Sequence, residues 1–363
     1  MSPCVLIMAG GTGGHVFPAL AVARELQRRG VEVVWLGTRR GLEADVVPQA
    51  GIEIEWLSIA GLRGNGLIGW VLAPFRLGIA LTQALSVILR RRPAAVLGMG
   101  GFASGPGGAM TWFLQKPLVI HEQNAVAGMT NKILSRLAGT VMEAFPGTFK
   151  KSKKVACVGN PVRDDIASLA TPTERFRDRD SSLRLLVLGG SLGAQSLNDI
   201  LPETLAMLPQ AHRPTVWHQA GKRNIDSACK AYELAGVEAR VDAFVEDMSE
   251  AYAWADVVIC RAGALTIAEL ASAGVGSILV PYPHAVDDHQ TANAAYLVDA
   301  GAAQVIQQRD LDASELAKQI TDWVDDAAQG RSQLVSMAES ARVLAKNKAA
   351  SDVADACMEL ARG

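Results

Sequence analysis

Leu183-Arg-Leu-Leu-Val-Leu-Gly189-Gly190-Ser191-Leu192-Gly193-Ala194-Gln195-Ser196 runs from apolar residues into glycines and then into residues that suit a helix. The stretch reads as a strand, a glycine-rich turn and a helix N-terminus. Such a turn lets backbone approach a ligand closely, while the N–H groups and positive dipole end of the helix favour a phosphate. The chain makes the same move at its start, in Cys4-Val-Leu-Ile-Met-Ala-Gly10-Gly11-Thr12-Gly13-Gly14-His15.

The correspondence continues downstream. In the first half, Ala94-Ala-Val-Leu-Gly-Met ends in Gly100-Gly101-Phe102-Ala103-Ser104-Gly105, and Pro117-Leu-Val-Ile ends in His121-Glu122-Gln123-Asn124. In the second, Asp256-Val-Val-Ile-Cys ends in Arg261-Ala262-Gly263-Ala264-Leu265-Thr266, and Gly276-Ser-Ile-Leu-Val ends in Pro281-Tyr282-Pro283-His284. Gly100 and His121 lie 21 positions apart, as do Gly263 and His284. Equal order and spacing predict an α/β fold of two domains on one plan, with glycine loops at the carboxyl ends of parallel strands, where open sheets bind ligands. The rigid turn Gly159-Asn-Pro-Val-Arg163 suits a crossing between them. The expected domains are 1–161 and 162–343, with a last helix from about Leu344 to Gly363 packing back on the first.

A length of 363 residues suits two domains, and a formal charge of -2 gives no global pull toward nucleic acid. The five cysteines form no C-x-x-C pair, and Cys4 and Cys260 fall on expected core strands, which favours buried thiols in a reducing compartment. The short N-terminal apolar run lacks a basic lead, so no signal peptide is expected. Neither glycine cluster fits G-x-G-x-x-G, no acidic residue ends the second strand, and the P-loop pattern is absent. Asp178-Arg-Asp180 matches a D-x-D metal motif literally, but it sits in the charged segment Thr171–Ser182, expected to be a surface loop, so no metal is expected.

Leu67 to Leu89 is the most apolar long stretch, interrupted by Pro74, Arg76, Thr82 and Gln83 and followed by Arg90-Arg-Arg92. The mid-run arginine and proline argue against a membrane span. Two readings remain: a buried core helix, or a helix laying Val71, Phe75, Leu81 and Leu85 on a membrane surface, with Arg63, Arg76 and Arg90 to Arg92 meeting anionic headgroups. The helices expected over Leu311–Ala328 and Leu334–Ala361 carry ordinary amphipathic patterning.

Taken together, Gly10-Gly-Thr-Gly-Gly-His15, Gly98-Met-Gly-Gly-Phe-Ala-Ser-Gly-Pro106, His121-Glu-Gln-Asn124, Gly159-Asn-Pro-Val-Arg163, Gly189-Gly-Ser-Leu-Gly-Ala194 and Arg261-Ala-Gly-Ala-Leu-Thr-Ile-Ala-Glu269 resemble the MurG family over nearly the full length. These are GT-B-fold N-acetylglucosaminyltransferases that convert lipid I to lipid II in bacterial peptidoglycan synthesis. The resemblance implies two Rossmann-like domains facing a cleft, and halves joined only by the Gly159 to Arg163 turn and a late return should close it when the donor binds. It implies an inverting, metal-independent transfer from UDP-N-acetylglucosamine to the 4-hydroxyl of N-acetylmuramoyl-pentapeptide on undecaprenyl diphosphate. No cofactor is implied. A lipid-linked acceptor makes the cytoplasmic face of the inner membrane the expected place of work, with room for complexes with other cell-wall enzymes.

Residue by residue, the implied donor contacts are Thr12, Gly13, Gly14, Asn124, Arg163, Ser191, Phe244, Val245, Gly263, Ala264, Leu265, Thr266, Glu269 and Gln290. Val245 backbone and the Phe244 ring would meet uracil, Glu269 both ribose hydroxyls, and Gln290 and Asn124 the sugar. Gly100, Gly101, Ser104 and Gly105 would hold the acceptor diphosphate, and Trp112 would extend the membrane face. His15, with a reference pKa near 6.5, suits a general base; the competing reading has His15 capping the helix or binding phosphate, with Glu122 or another carboxylate as base. His121 and His284 could be structural or catalytic. Two departures from the pattern are Leu192 and His289, where many relatives carry glutamine. Other classes weighed are an NAD-dependent oxidoreductase, a UDP-N-acetylglucosamine 2-epimerase and a non-catalytic nucleotide-sugar sensor.

Overall fold

The computed structural model describes residues 3–59, 67–177, 179, 182–190, 193–325 and 327–362; the side chains of 67–71, 286, 325, 327–330 and 362 lie outside the description. Arg63, Asp178, Asp180, Ser191 and Leu192, and the side chain of Val71, are therefore outside the described residues. By contact the chain divides into two compact units: Met1–Val162 with Asn347–Gly363, and Arg163–Lys346.

The first unit holds strands β1 (Cys4–Met8), β2 (Glu32–Thr38), β3 (Glu53–Leu57), β4 (Ala95–Gly98), β5 (Leu118–Glu122), β6 (Thr140–Glu143) and β7 (Val155–Cys157), in the order β3-β2-β1-β4-β5-β6-β7. Every pairing is parallel. Successive side chains of a strand point to opposite faces, and helices cover both faces, so the central strand is apolar without interruption. Val5 and Ile7 pack with Val16, Ala19, Ala23 and Leu26 of the Gly13–Arg28 helix. Leu6 and Met8 pack on the other side, with Ala84, Val87 and Ile88 of the Leu67–Arg91 helix.

The second unit repeats the plan with β8 (Arg184–Leu188), β9 (Thr215–Gln219), β10 (Arg240–Asp242), β11 (Val257–Cys260), β12 (Gly276–Leu279) and β13 (Ala303–Val305), ordered β10-β9-β8-β11-β12-β13. These pairings are parallel too. Leu185, Val187, Val257 and Ile259 meet Leu197, Leu201, Ile320, Leu334 and Met337 in one core.

In both sheets the strand order reverses beside the first strand, between β1 and β4 and between β8 and β11. Each reversal opens a crevice at the carboxyl ends of the two strands. All four glycine loops singled out in the sequence leave from those ends.

Three expectations about elements need correction. Thr171–Ser182 is not all loop: Pro172–Arg177 is a helix. Thr171 and Glu174 form a capping box, Thr171 N and Oγ1 donating to Glu174 Oε2 at 2.9 and 2.8 Å, with proline at the first helical position. Its Arg175 donates to the carbonyls of Tyr252, Ala273 and Gly274. The helix expected over Leu334–Ala361 is broken, into Ala327–Val343 and Ala349–Arg362. The later piece buries Val353, Ala354 and Cys357 in the first unit's core, where Arg29 donates to Asp355 at 2.6 Å and Ser351 at 2.7 Å. Lastly, the long apolar helix is neither wholly core nor wholly surface: Ala80, Ala84, Val87 and Ile88 are buried, while Leu72, Phe75, Leu77 and Ile79 are exposed.

Candidate active site

In the first unit the crevice is built by two loops pressed together. Thr12 caps the Gly13–Arg28 helix in an extended conformation and its carbonyl accepts from His15 N at 3.1 Å, so the first-turn N–H groups of Gly13 and Gly14 point out of the helix start. Gly100 (φ 96°) and Gly101 (φ 84°) follow β4. A Cβ at Gly100 would stand 2.7 Å from His15 Nδ1, and one at Gly101 would strike the Gly10 carbonyl oxygen. Glycine at both places lets the β4 loop close on the β1 loop, with the His15 imidazole between them.

A residue that sequence reasoning missed supports this floor. Glu43 is wholly buried; its Oε1 accepts from Thr38 N and Oγ1 at 3.0 and 2.7 Å, and its Oε2 from Gly11 N at 2.9 Å. Its carboxylate lies where side chains on Gly10, Gly37 and Gly41 would otherwise be. No motif signalled it, because its donors, Gly11 and Thr38, belong to two separate segments.

Several expected roles change. Glu122 is 1% exposed, and its carboxylate accepts from Asn124 N and Nδ2 at 3.0 and 3.2 Å, Gly128 N at 3.1 Å and Asn131 Nδ2 at 2.9 Å. Four donors fill its lone pairs, so it fastens the loop after β5 and is not placed to take a proton from a substrate. The buried Ser104 hydroxyl reaches the Met8 and Gly100 carbonyls at 2.9 and 2.8 Å, which leaves only backbone at this position for a diphosphate. His121 is structural: its ring is completely buried, its Nε2 donates to Gly159 O at 2.8 Å, and burial holds its pKa down at about 4. Gln123 lies between it and His15, 2.8 Å from His15 Nδ1.

In the second unit Gly263, in an extended conformation, caps the Ala264–Ala273 helix after β11, and the first turn of Ala264, Leu265 and Thr266 carries its positive end. Glu269 is not an ordinary solvated helix residue. It is 9% exposed, its Oε2 accepts from Tyr252 Oη at 3.1 Å, and burial pushes its carboxyl up to about 7 against the opposing pull of the Arg163 guanidinium. Arg163 precedes a short helix at Asp164–Ala167 and lies 3.8 Å from Asp165. Gln290 Oε1 accepts from Tyr282 N at 2.8 Å, tying the start of the His289–Val298 helix to the loop after β12. Val245 is buried and Phe244 is 45% exposed. Arg261, quoted in the sequence only as part of a motif, bridges the crevice: it donates to the Val280 and Pro281 carbonyls, to Ser196 Oγ at 3.0 Å and to Gln308 Oε1 at 2.7 Å. None of these partners neutralises its charge.

The long helix carries Phe75 (72% exposed) and exposed Arg76, while Leu81 and Leu85 are half-buried. Leu81 is thus a flank of the apolar surface, and Leu72, Leu77 and Ile79 belong in its place. Trp112, 54% exposed, sits on the neighbouring Ser104–Phe113 helix. Arg90 and Arg91 do not wait for headgroups: Arg90 donates to Glu55 at 2.6 Å, and Arg91 to Glu55 at 2.7 Å and to Glu53.

Comparison with known proteins covers both units. The glycosyltransferase family 28 N-terminal domain matches residues 5–143, and the glycosyltransferase family 28 C-terminal domain matches residues 184–356. A UDP-N-acetylglucosamine--N-acetylmuramyl-(pentapeptide) pyrophosphoryl-undecaprenol N-acetylglucosamine transferase of Nitrosococcus oceani is 56% identical over 99% of each chain. Its namesake in Marinobacter nauticus is 53% identical over 99% of this chain and 98% of the relative. The crystal structure of Acinetobacter baumannii MurG superposes with a TM-score of 0.82 at 42% identity, over 98% of this chain and 99% of that one. The chain belongs to glycosyltransferase family 28 and, within it, to the MurG family of N-acetylglucosaminyltransferases, with the GT-B fold.

Proposed function

We propose that this chain catalyses the transfer its relatives are named for. It moves N-acetylglucosamine from UDP to the 4-hydroxyl of N-acetylmuramoyl-pentapeptide on undecaprenyl diphosphate, making lipid II. The observation that carries this is identity above one half with relatives of that name across both units. The test is release of UDP from UDP-N-acetylglucosamine, with and without a short-chain lipid I analogue.

In this reading the second unit holds the donor. The Gly263–Thr266 helix start, with the glycine turn after β8 and Arg163, supplies a positive field where negative charge grows on the leaving diphosphate. Arg261, held in the same crevice by the neutral Ser196 and Gln308 side chains, adds to it. Glu269 accepts from the ribose hydroxyls, the Phe244 ring and Val245 backbone take uracil, and Gln290 takes the sugar. These groups already meet the charge, so the transfer runs without a metal.

The first unit holds the acceptor, its diphosphate against the backbone of Gly100 to Gly105. His15 is the general base, a role favoured by the engagement of the Glu122 carboxylate elsewhere. The 4-oxygen attacks the anomeric carbon, its proton passes to the His15 imidazole, and the bond to the β-phosphate breaks with its electron pair leaving on UDP. One displacement inverts the anomeric centre.

A lipid-linked acceptor stays in its bilayer, so the enzyme works as a peripheral protein on the cytoplasmic face of the inner membrane. Exposed Leu72, Phe75, Leu77 and Ile79, with Trp112 and Arg76, support that placement.

A further inference from the structure

The amide of Gln123 can be oriented in only one way. Its Nε2 faces two acceptors, the His121 carbonyl oxygen at 3.2 Å and His121 Nδ1 at 3.1 Å. A carbonyl carries no proton, so that end of the amide is the NH2. Its Oε1, 2.8 Å from His15 Nδ1, then has no proton to give, and His15 Nδ1 must be the donor. The next link agrees: His121 Nε2 faces the Gly159 carbonyl at 2.8 Å, so it carries the ring proton and leaves Nδ1 to accept, in a ring that burial keeps neutral. The backbone around the amide is also fastened, by Asn160 Nδ2 on the Gln123 carbonyl at 3.0 Å and Asn131 Nδ2 on the His121 carbonyl at 3.1 Å.

We propose that Gln123 is a positioning residue for His15: its amide holds the neutral imidazole in the Nδ1–H tautomer and so leaves the lone pair on Nε2. The tautomer follows from the hydrogen-bond pattern alone; its value to catalysis rests on His15 being the base. A tautomer set by an unchanging partner keeps the correct nitrogen bare at every turnover. A neutral amide does this without the charge stabilisation that a carboxylate partner gives an imidazolium.

The test is nitrogen NMR of the full-length, histidine-labelled protein at pH 8, with His15 assigned by its absence in His15→Ala. The expected spectrum has a protonated Nδ1 and a bare Nε2 on His15. In Gln123→Leu the ring shifts toward the Nε2–H form, and kcat falls roughly 10- to 100-fold, a part of the about 10²–10⁴-fold a general base contributes, with KM for the donor little changed. In Gln123→Glu the oxygen facing His15 still accepts and adds charge, so the acidic limb of kcat moves to higher pH, which a merely structural side chain would not cause. An Nε2–H tautomer in the wild type overturns the proposal even if Gln123→Leu fails to fold, and so does a folded Gln123→Leu protein whose His15 tautomer is unaltered. An Nδ1–H wild type with full turnover in His15→Ala keeps the positioning assignment and removes only the base reading.

Discussion

Glu269 is the residue whose chemistry is most exposed to test. Its carboxyl titrates near 7 because burial disfavours the charged form, although Arg163 and the Tyr252 hydroxyl favour it. A carboxyl raised from 4.5 contributes stability that is fully present below about 4.5 and is lost as pH rises through about 7. The ligand-free melting temperature should therefore fall between pH 5 and 8 in the wild type and fall less in Glu269→Gln. Donor affinity should run the other way if Glu269 is the proposed ribose ligand, since an ionised carboxylate can accept from both ribose hydroxyls and the diphosphate diester of UDP-N-acetylglucosamine does not titrate there. Calorimetry should show tighter binding at pH 8 than at pH 6, with proton release, and a flat profile for Glu269→Gln. Glu269→Ala should weaken donor binding by about 1.5 to 3 kcal/mol, the range for a hydrogen bond to a charged group; unchanged affinity would remove Glu269 from the ribose site. At this scale the sequence conveyed residue types but not their engagements. His15 and Glu269 could be singled out from motif and position, whereas the saturation of Glu122 depends on how the loop after β5 turns Asn124, Gly128 and Asn131 back onto it, and Ser104 and Glu43 engage Met8 and Gly11 from distant segments.

Elements were more legible than side chains where periodicity was strong. The strand–glycine–helix passages after Met8 and Leu188 stood out because a doubly covered strand must be apolar throughout and its turn must be small. The helix at Pro172–Arg177 carries its own signal, Thr-Pro-Thr-Glu, but one short capping box is hard to tell from a loop within so charge-dense a segment. The long helix resisted a single reading for a physical reason: its later turns bury Ala84, Val87 and Ile88 in the core, while its earlier turns bury only the small Ala80 and leave Leu72, Phe75, Leu77 and Ile79 exposed. That outward face should be what meets the membrane. Phe75→Asp with Leu77→Asp should lower binding to anionic vesicles in sedimentation while leaving turnover of a water-soluble lipid I analogue intact; equal binding would return the helix to the core alone. Charge reversal at Arg90 or Arg91 is the wrong probe, since it would break their ion pairs with Glu53 and Glu55. The helix starts make their own prediction. With two positive helix ends and arginines toward the diphosphate, turnover should survive EDTA, and loss restored by Mg²⁺ would contradict this.

The whole molecule is one plan used twice, and the matched spacing of paired glycine loops displays it in the sequence. That the end of the chain returns to the first unit is an expectation of the sequence; which side chains fasten it is visible only in the packing. The Ala349–Arg362 helix belongs to the first unit, packed on the Gly13–Arg28 helix, β4 and β5, with Val353, Ala354 and Cys357 in the core they share. Removing residues 347–363 should therefore unfold or strongly destabilise the first unit, seen as loss of hydrogen-exchange protection in β1 and β4, while β8 and β11 keep theirs. The central claim, that the two units together transfer N-acetylglucosamine to a lipid-linked muramoyl acceptor, is tested most directly by UDP release from UDP-N-acetylglucosamine. The account predicts steady release that requires the lipid I analogue and yields a disaccharide product of inverted configuration. Release at the same rate without the acceptor, or none with it, would contradict the account.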